Sequence, residues 1–161
     1  MTLQEYNNSV EQYADNIYRY LLKNIRDEEL AKDLVQETYT KLWEKHKQVT
    51  ASKVKSYLFT TAHRTLIDYI RKNKRVVQME DSYQNRLSHT NQYTDLKEIL
   101  DEALLLLNEK QRSVILLRDY EGYSYKEISE ILSISEDQVK INIYRGRKFL
   151  QNYIKNIETI I

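Results

Sequence analysis

The chain has 161 residues, of which 41% are hydrophobic and 30% are charged, and its formal net charge is +1. It has no proline, no cysteine and only two glycines, which excludes disulfides and thiolate metal sites and argues against an all-β fold, whose turns need such residues at short intervals. Because no apolar run approaches the ~18 residues of a membrane span and no signal peptide is present, the sequence predicts a cytoplasmic, helical protein.

The nearly neutral total charge conceals two basic segments. Residues 50–75 carry seven Lys and Arg against one acidic residue, and residues 140–161 carry five against one. The rest of the chain is acidic on balance. Two separated basic segments in such a chain predict contact with a polyanion at two places.

The N-terminal part predicts two amphipathic helices. Apolar residues recur at three- and four-residue spacing from Leu3 to Leu22, and a second helix is predicted from about Asp27 to Lys47, with Trp43 on its inner side. The outer side of the second helix carries a polar, mainly acidic stripe. Its residues are Asp33, Gln36, Glu37 and Thr40. Such a stripe is most often only solvent-exposed, but it also suits docking of a partner with basic residues.

A polar loop from His46 to Ser56 leads into a third predicted helix, from about Val54 to Arg75. Phe59 lies off the predicted buried stripe of this helix, among its cationic residues. An exposed face of this kind suits unpaired bases, which stack on aromatic rings while charges hold the backbone. The alternative is that Phe59 belongs to the core. The three histidines are far apart in sequence and predict no metal site.

The second half of the chain begins after a polar segment without periodicity, from Val76 to Thr94, which predicts a flexible linker. Apolar spacing then predicts one helix over 96–107 and another that contains 114–117. We therefore predict an all-α fold of two small helical domains, residues 1–75 and 96–161, joined by a linker over 76–95.

Ser124 to Leu150 predicts a helix-turn-helix. Ser124 with Glu127, and Ser135 with Gln138, have the spacing of capping boxes, so each predicted helix starts with its own cap. The outward side of the second helix combines amides and cations. Its residues are Gln138, Lys140, Ile141, Asn142, Arg145, Arg147 and Lys148. Amides and Arg pair with base edges while Lys and Arg bind phosphates, so this side predicts a recognition helix; the alternative is a solvated basic face.

Two parts of the chain resemble sigma-70-type RNA polymerase sigma factors of the small extracytoplasmic-function (ECF) group. DLVQETYTKLWEKHKQ from Asp33 and KSYLFTTAHRTLIDYIRKNKR from Lys55 are similar to conserved region two. The segment 100–150, which contains SYKEISEILSISEDQVKINIYRGRKFL, is similar to region four. The two regions occur in the order that the family has.

Four positions depart from the family pattern. His63-Arg64 stands where the family usually has Arg-Asn, so the preferred −10 sequence does not carry over. The other departures are expected to be structural and tolerable. They are Asn108 for Pro, Ser129 for Ala and Ser133 for Gly.

The resemblance implies a sigma factor that binds core RNA polymerase and directs it to promoters, with no catalytic residue and no cofactor. By the same resemblance, the stripe of Asp33, Gln36, Glu37 and Thr40 docks on a coiled coil of the largest polymerase subunit. The resemblance assigns the −10 element, with a base flipped out of the non-template strand, to the loop from His46 to Ser56 and to the third helix. The residues that match are His63, Arg64, Asp68, Arg71 and Lys72. The recognition helix reads the duplex −35 element.

The resemblance also implies an anti-sigma protein as a partner, without membrane insertion or a small-molecule substrate. Two other classes of function stay open on the residues themselves. A stand-alone helix-turn-helix regulator that binds DNA as a dimer leaves the acidic stripe and the third helix unused. A helical interaction protein without a DNA role is the other. An enzyme is not expected, because no carboxylate pair, nucleophile constellation or glycine-rich phosphate loop occurs.

Overall fold

The computed structural model describes residues 1–73 and 96–160, and the regular structure within these ranges is helical. The N-terminal unit contains α1 (Leu3–Ile25), α2 (Glu28–Glu44), a 3-10 turn (Ala51–Lys53) and α3 (Val54–Asn73). The C-terminal unit contains α4 (Leu96–Leu106), α5 (Glu109–Ile115), a π-helical turn (Leu116–Tyr120), α6 (Tyr125–Leu132) and α7 (Glu136–Ile160). The predicted all-α fold of two helical units is confirmed. The predicted linker and the predicted end of the third helix at Arg75 lie outside the described residues.

Local capping chemistry sets the ends of the first two helices. The Asp27 carboxylate accepts a hydrogen bond from the Leu30 N–H at 3.1 Å and so starts α2. α1 extends three residues beyond its predicted end, to Ile25, and the next residue, Arg26, terminates it with a left-handed φ of 51°. α2 stops at Glu44, short of the predicted Lys47, because the chain turns over the next four residues.

The core of the N-terminal unit lies between α1, α2 and α3. Its largest fully buried aliphatic side chains are Ile17, Leu21, Leu42, Leu58 and Leu66. Full burial of one such side chain contributes about 1.5–3 kcal/mol. Trp43 was predicted to lie inside, but it is 42% exposed. Its indole lies at the end of α2 instead, stacked on the His46 ring at 4.1 Å and edge-on to Tyr6 at 5.1 Å.

The helix-turn-helix consists of α6 and α7, as predicted. A complete capping box joins Ser124 and Glu127, and the Ser135 Oγ accepts a hydrogen bond from the Gln138 N–H at 3.1 Å. The Ser129 Oγ donates to the carbonyl of residue 134 at 2.6 Å and ties α6 to the turn. α7 is longer than predicted, since it continues past residue 150 to residue 160.

Ser133 occupies the left-handed conformation that ends α6, with φ 56° and ψ 46°. A side chain in this conformation costs roughly 1–2 kcal/mol, which glycine avoids. We expect Ser133→Gly to raise the free energy of unfolding by about 0.5–1 kcal/mol, since glycine also loses more entropy on folding. Urea denaturation of the variant checks this, with the exposed helix-interior change Lys126→Gly as the control that must destabilise. A destabilised Ser133→Gly protein would contradict the assignment of strain.

The two helical units pack against each other. α6 lies on α3, and α4 lies on α1. Buried apolar residues of both units form one continuous core. The sequence did not predict this contact between the units.

Candidate nucleic-acid interface

The predicted docking stripe lies on the outer side of α2. Asp33, Gln36, Glu37 and Thr40 are all exposed and follow helical spacing along one face. The Glu37 carboxylate is 3.4 Å from the Lys41 Nζ, which also donates to the Thr65 Oγ1 of α3 at 3.0 Å. The stripe therefore presents carboxylates and an amide to solvent on a helix that the core holds in place.

The basic side of α3 carries the residues predicted for the −10 element. Arg64, Asp68, Arg71 and Lys72 are exposed, whereas His63 is half-buried. Three cations on one helix face suit the phosphates of a nucleic acid strand, and their exposure keeps the cost of desolvating them low.

Phe59 is not exposed, contrary to the prediction that placed it off the buried side of α3. The side chain is 1% exposed. Its ring lies edge-on to Tyr20 of α1, with centroids 6.0 Å apart, and edge-on to Tyr123 of the C-terminal unit, with centroids 5.1 Å apart. The core alternative for Phe59 is therefore the correct one in this structure.

His63 faces the same interior. Its Nδ1 is 2.9 Å from the Tyr20 hydroxyl, to which it is hydrogen-bonded. Burial, together with a smaller effect of the nearby Arg64 cation, lowers the pKa of His63 from 6.5 to about 4. The imidazole is therefore neutral in the folded protein at physiological pH.

Because His63 is buried and neutral, we expect the protein to lose stability on acidification. The unfolded chain takes up the proton near pH 6.5, while the folded chain does so only near pH 4. The free energy of unfolding is therefore unaffected above the unfolded pKa and falls as the pH drops below it, by up to about 2 kcal/mol between pH 7 and pH 5. Urea denaturation at both pH values checks this for the wild type and for His63→Gln, whose amide can still accept from the Tyr20 hydroxyl. Parallel pH profiles of the two proteins would contradict the expectation.

The outward side of α7 matches the predicted recognition face. Its exposed residues are Gln138, Lys140, Ile141, Arg145 and Lys148. Ile141 is 47% exposed. Asn142 is partly buried, and its Nδ2 donates to the Gln138 carbonyl of its own helix at 2.7 Å. Val139 and Ile143 are buried on the opposite side. α7 therefore combines an apolar anchor with a free amide, an aliphatic side chain and cations.

Two supporting residues of this face were not predicted from the sequence. Asp119, in the π-helical turn, accepts hydrogen bonds from the Arg147 Nε at 3.1 Å and Nη2 at 2.5 Å, and this pairing raises the pKa of Arg147. Tyr125 lies between two cations, with the Arg118 guanidinium 4.8 Å and the Lys140 Nζ 5.9 Å from its ring centroid. Each of these three contacts joins two different helical elements, so periodicity within one element does not reveal it.

Two further kinds of site are absent from the described ranges, 1–73 and 96–160. No helix there has the length and apolar character needed to cross a membrane. Within the same ranges, His, Asp and Glu side chains do not gather in groups of three that could hold a metal ion.

Comparison with known protein families finds matches to sigma-70 regions 2 and 4. The family model for sigma-70 region 2 matches residues 9–76, and the model for sigma-70 region 4 matches residues 97–150. The ECF RNA polymerase sigma factor SigM of Bacillus subtilis strain 168 is 33% identical over 144 residues, which are 86% of this chain and 88% of the relative. The RNA polymerase sigma factor YlaC of the same strain is 33% identical over 145 residues, which are 84% of each chain.

Solved structures share the fold. The sigma factor RpoE from Bartonella quintana, in complex with the anti-sigma factor NepR, has a TM-score of 0.78 and 24% identity, over 95% of this chain and 98% of that chain. CnrH, in complex with the cytosolic domain of CnrY, has a TM-score of 0.74 and 19% identity, over 96% of this chain and 90% of that chain.

Neither of the two alternative functions explains these matches as well as a sigma factor does. A stand-alone helix-turn-helix regulator accounts for the match to region 4 but not for the match to region 2. An interaction protein without a DNA role accounts for neither. With both regions in order, and with relatives matched over most of their length, the chain belongs to the ECF group of sigma-70-type RNA polymerase sigma factors.

Proposed function

We propose that this sigma factor makes three separate contacts during promoter recognition, one from each of α2, α3 and α7. Residues 1–75 supply polymerase docking and −10 recognition, residues 96–161 supply −35 recognition, and residues 76–95 connect them. Each site alone offers few contacts. Core polymerase supplies the fixed spacing that makes the two DNA contacts act together, as a linker does for a bivalent ligand.

Docking on core polymerase is assigned to the acidic stripe of α2. The observation that supports it is the exposure of Asp33, Gln36, Glu37 and Thr40 on a helix whose other side is buried. Carboxylates on a rigid helix complement a basic partner surface and hold its register. Glu37, although near Lys41, keeps about half of its side chain exposed and available.

Contact with the melted −10 element is assigned to α3. Arg64, Arg71 and Lys72 hold the phosphates of the non-template strand, and Asp68 and His63 lie beside them on the helix. Flipping a base out of the stack costs a few kcal/mol, which the contacts to strand and base must offset. Phe59 has no direct part in this contact in the structure, since it is buried.

Reading of the −35 duplex is assigned to α7. Gln138, Ile141 and Arg145 are exposed at helical spacing and suit base edges in the major groove. Lys140 and Lys148 suit phosphates. Arg147 is assigned to the phosphate contacts with them, and in the structure its guanidinium pairs with Asp119.

Four properties complete the proposal. The protein acts in the cytoplasm, it has no catalytic residue or cofactor, and an anti-sigma protein is a further partner. The last point draws on RpoE and CnrH, which were solved with NepR and with the cytosolic domain of CnrY. Co-purification of core polymerase subunits with the tagged protein is the direct test of docking. Failure to recover them from a cell extract, when a known sigma factor does recover them, would contradict the proposal.

The two kinds of contact on α7 predict different mutational effects. We expect Arg145→Ala to weaken binding by about 1–3 kcal/mol and to relax the preference at one −35 position, if Arg145 reads a guanine. Lys148→Ala is expected to weaken binding to all sequences alike and to reduce its dependence on salt. Holoenzyme binding to a randomised −35 library, sequenced at two salt concentrations, measures both effects. Identical changes for the two variants would contradict the division of roles.

A further inference from the structure

The end of α2 carries an aromatic side chain outside the core. Trp43, the single tryptophan of the chain, is 42% exposed. The Phe and Tyr residues that the structure describes in residues 1–73 are buried or half-buried. One exposed apolar residue is common at protein surfaces and is not by itself evidence of a binding site. The surroundings of Trp43 and its direction on the helix supply that evidence.

Neighbouring side chains hold the Trp43 ring in place. The His46 imidazole stacks on it, with ring centroids 4.1 Å apart and an angle of 9° between the planes. The His46 ring is itself fixed, because its Nδ1 donates to the Trp43 carbonyl at 2.6 Å. Tyr6 of α1 lies edge-on to the indole at 5.1 Å. A ring that is fixed in this way loses little conformational entropy when a partner binds it.

Two hydrogen bonds join α1 and α2 beside the indole. The Tyr6 hydroxyl donates to the Tyr39 carbonyl at 3.1 Å, and the Tyr39 hydroxyl donates to the Ser9 carbonyl at 2.7 Å. The rings of Tyr6 and Tyr39 also meet edge-on, with centroids 5.8 Å apart. The side of the indole that faces Tyr6 is therefore supported by packed helices.

Trp43 continues the docking stripe of α2. An α-helix turns about 100° per residue, so Trp43 lies within about 20° of Gln36 and about 60° of Thr40 around the helix axis. Lys41 points the other way, since its Nζ donates to the Thr65 Oγ1 of α3 at 3.0 Å. Two positions separate Lys41 from Trp43, which corresponds to about 160° around the axis. The indole therefore faces away from α3 and lies on the side assigned to polymerase.

An aromatic ring beside carboxylates suits a partner surface that carries arginines. A guanidinium pairs with a carboxylate through its N–H groups and packs its plane on an indole. Tryptophan is also among the residues whose loss costs most at protein interfaces. We propose that Trp43 is the aromatic anchor of the contact with core polymerase, and that His46 and Tyr6 are positioning residues for its ring. This inference rests on the docking that is assigned to the α2 stripe.

Removal of the ring tests the anchor. We expect Trp43→Ala to weaken binding to core polymerase at least about thirtyfold, and Trp43→Phe to weaken it less than about fivefold. Tyr144→Ala is the matched control, because it removes an aromatic ring that is 65% exposed on α7, and we expect less than about a twofold change. Surface plasmon resonance with immobilised core enzyme measures the affinities. Wild-type affinity of Trp43→Ala, or equal losses for Trp43→Ala and Tyr144→Ala, would overturn the proposal.

Substitution of His46 tests the positioning and leaves the indole in place, so it decides the matter even if Trp43→Ala does not fold. Loss of a stacked aromatic pair corresponds to about three- to tenfold in affinity, which we expect for His46→Ala. His46→Phe can still stack and should bind within about twofold of the wild type. A role confined to stability would change the urea midpoint of His46→Ala without changing its affinity. That result, or a failure of His46→Phe to restore binding, would overturn the positioning.

Burial of the ring on docking is measured directly. Because the chain has one tryptophan, 5-hydroxytryptophan can be incorporated at that position alone, and it is excited at wavelengths that the tryptophans of polymerase do not absorb. We expect quenching by acrylamide to fall at least about threefold when core polymerase is added, since anchors of interfaces are desolvated. Unchanged quenching with polymerase bound would overturn the anchor.

The combined results separate this proposal from the proposed function. If Asp33→Arg with Glu37→Arg loses binding while Trp43→Ala binds like the wild type, the stripe docks on polymerase and the anchor is wrong. If both variants lose binding and the indole is shielded in the wild-type complex, both proposals are supported. If the wild-type protein does not bind core polymerase, the proposed function fails, and the anchor fails with it.

Discussion

Phe59→Ala is expected to lower the free energy of unfolding by about 3–5 kcal/mol, the range for removal of a fully buried phenylalanine. The ring fills the space between α1, α3 and the C-terminal unit, and it makes edge-on contacts with Tyr20 and Tyr123. Loss of these two contacts adds to the cost of the cavity. Urea denaturation with an unchanged m value measures the effect.

The chain offers a matched control, because it has only one other phenylalanine. Phe149 on α7 is 38% exposed and stacks on Tyr153 at a centroid distance of 6.2 Å. We expect Phe149→Ala to cost about 1 kcal/mol or less. Equal, small losses for both variants would mean that Phe59 is free in solution to stack on bases, and the assignment to the core would be wrong.

Reversal of two charges on the docking stripe is expected to weaken binding to core polymerase about a hundredfold or more. Asp33→Arg with Glu37→Arg replaces two exposed carboxylates by cations, and repulsion from a basic partner surface of about 3 kcal/mol corresponds to that factor. Because both positions are exposed, the folded structure is expected to persist. Surface plasmon resonance with immobilised core enzyme measures the change.

Glu11→Arg with Asp15→Arg is the control for this experiment. It changes the net charge by the same amount at exposed positions of α1, away from the stripe. We expect less than about a threefold change in affinity, since charges at a distance act mainly through the screened field of the whole protein. A hundredfold loss in both variants would show that overall charge, and not the stripe, controls docking.

Local chemistry explains why much of the fold was predictable. Local features can be recognised from the sequence because they join residues a few positions apart. Examples are the Asp27 cap, the Ser124–Glu127 capping box and the spacing of Leu58 and Leu66. The exposed stripe of α2 and the outward side of α7 follow from the same periodicity. Both helices have more than one neighbour, but an exposed face is predicted correctly when these neighbours leave that face free.

Periodicity alone did not predict the whole buried surface of α3. The helix packs against α1 and α2 on one side and against the C-terminal unit on another, so that its buried surface is wider than one stripe. Phe59 and His63 lie on the second buried side. Nothing in the periodicity of α3 identifies a partner that lies more than 50 residues away, and the prediction of a loose linker argued against one.

Contacts between distant residues around the candidate interface could not be predicted either. Asp119 fixes Arg147 across 28 positions, and Arg19 pairs with Glu121 across 102. These contacts depend on how helices are placed in space, which single-sequence patterns do not encode. The roles of the individual residues on α2, α3 and α7 stay predictions, for which the exposure of their side chains is the support.

Run-off transcription tests the central claim most directly. Core polymerase is incubated with fragments of the source genome, with and without this protein, and the transcripts are sequenced. We expect a small set of new start sites that share two upstream elements, and we expect the Asp33→Arg, Glu37→Arg variant to lose them all. If the wild-type protein adds no start site to those of core polymerase alone, its assignment as a promoter-directing sigma factor is contradicted.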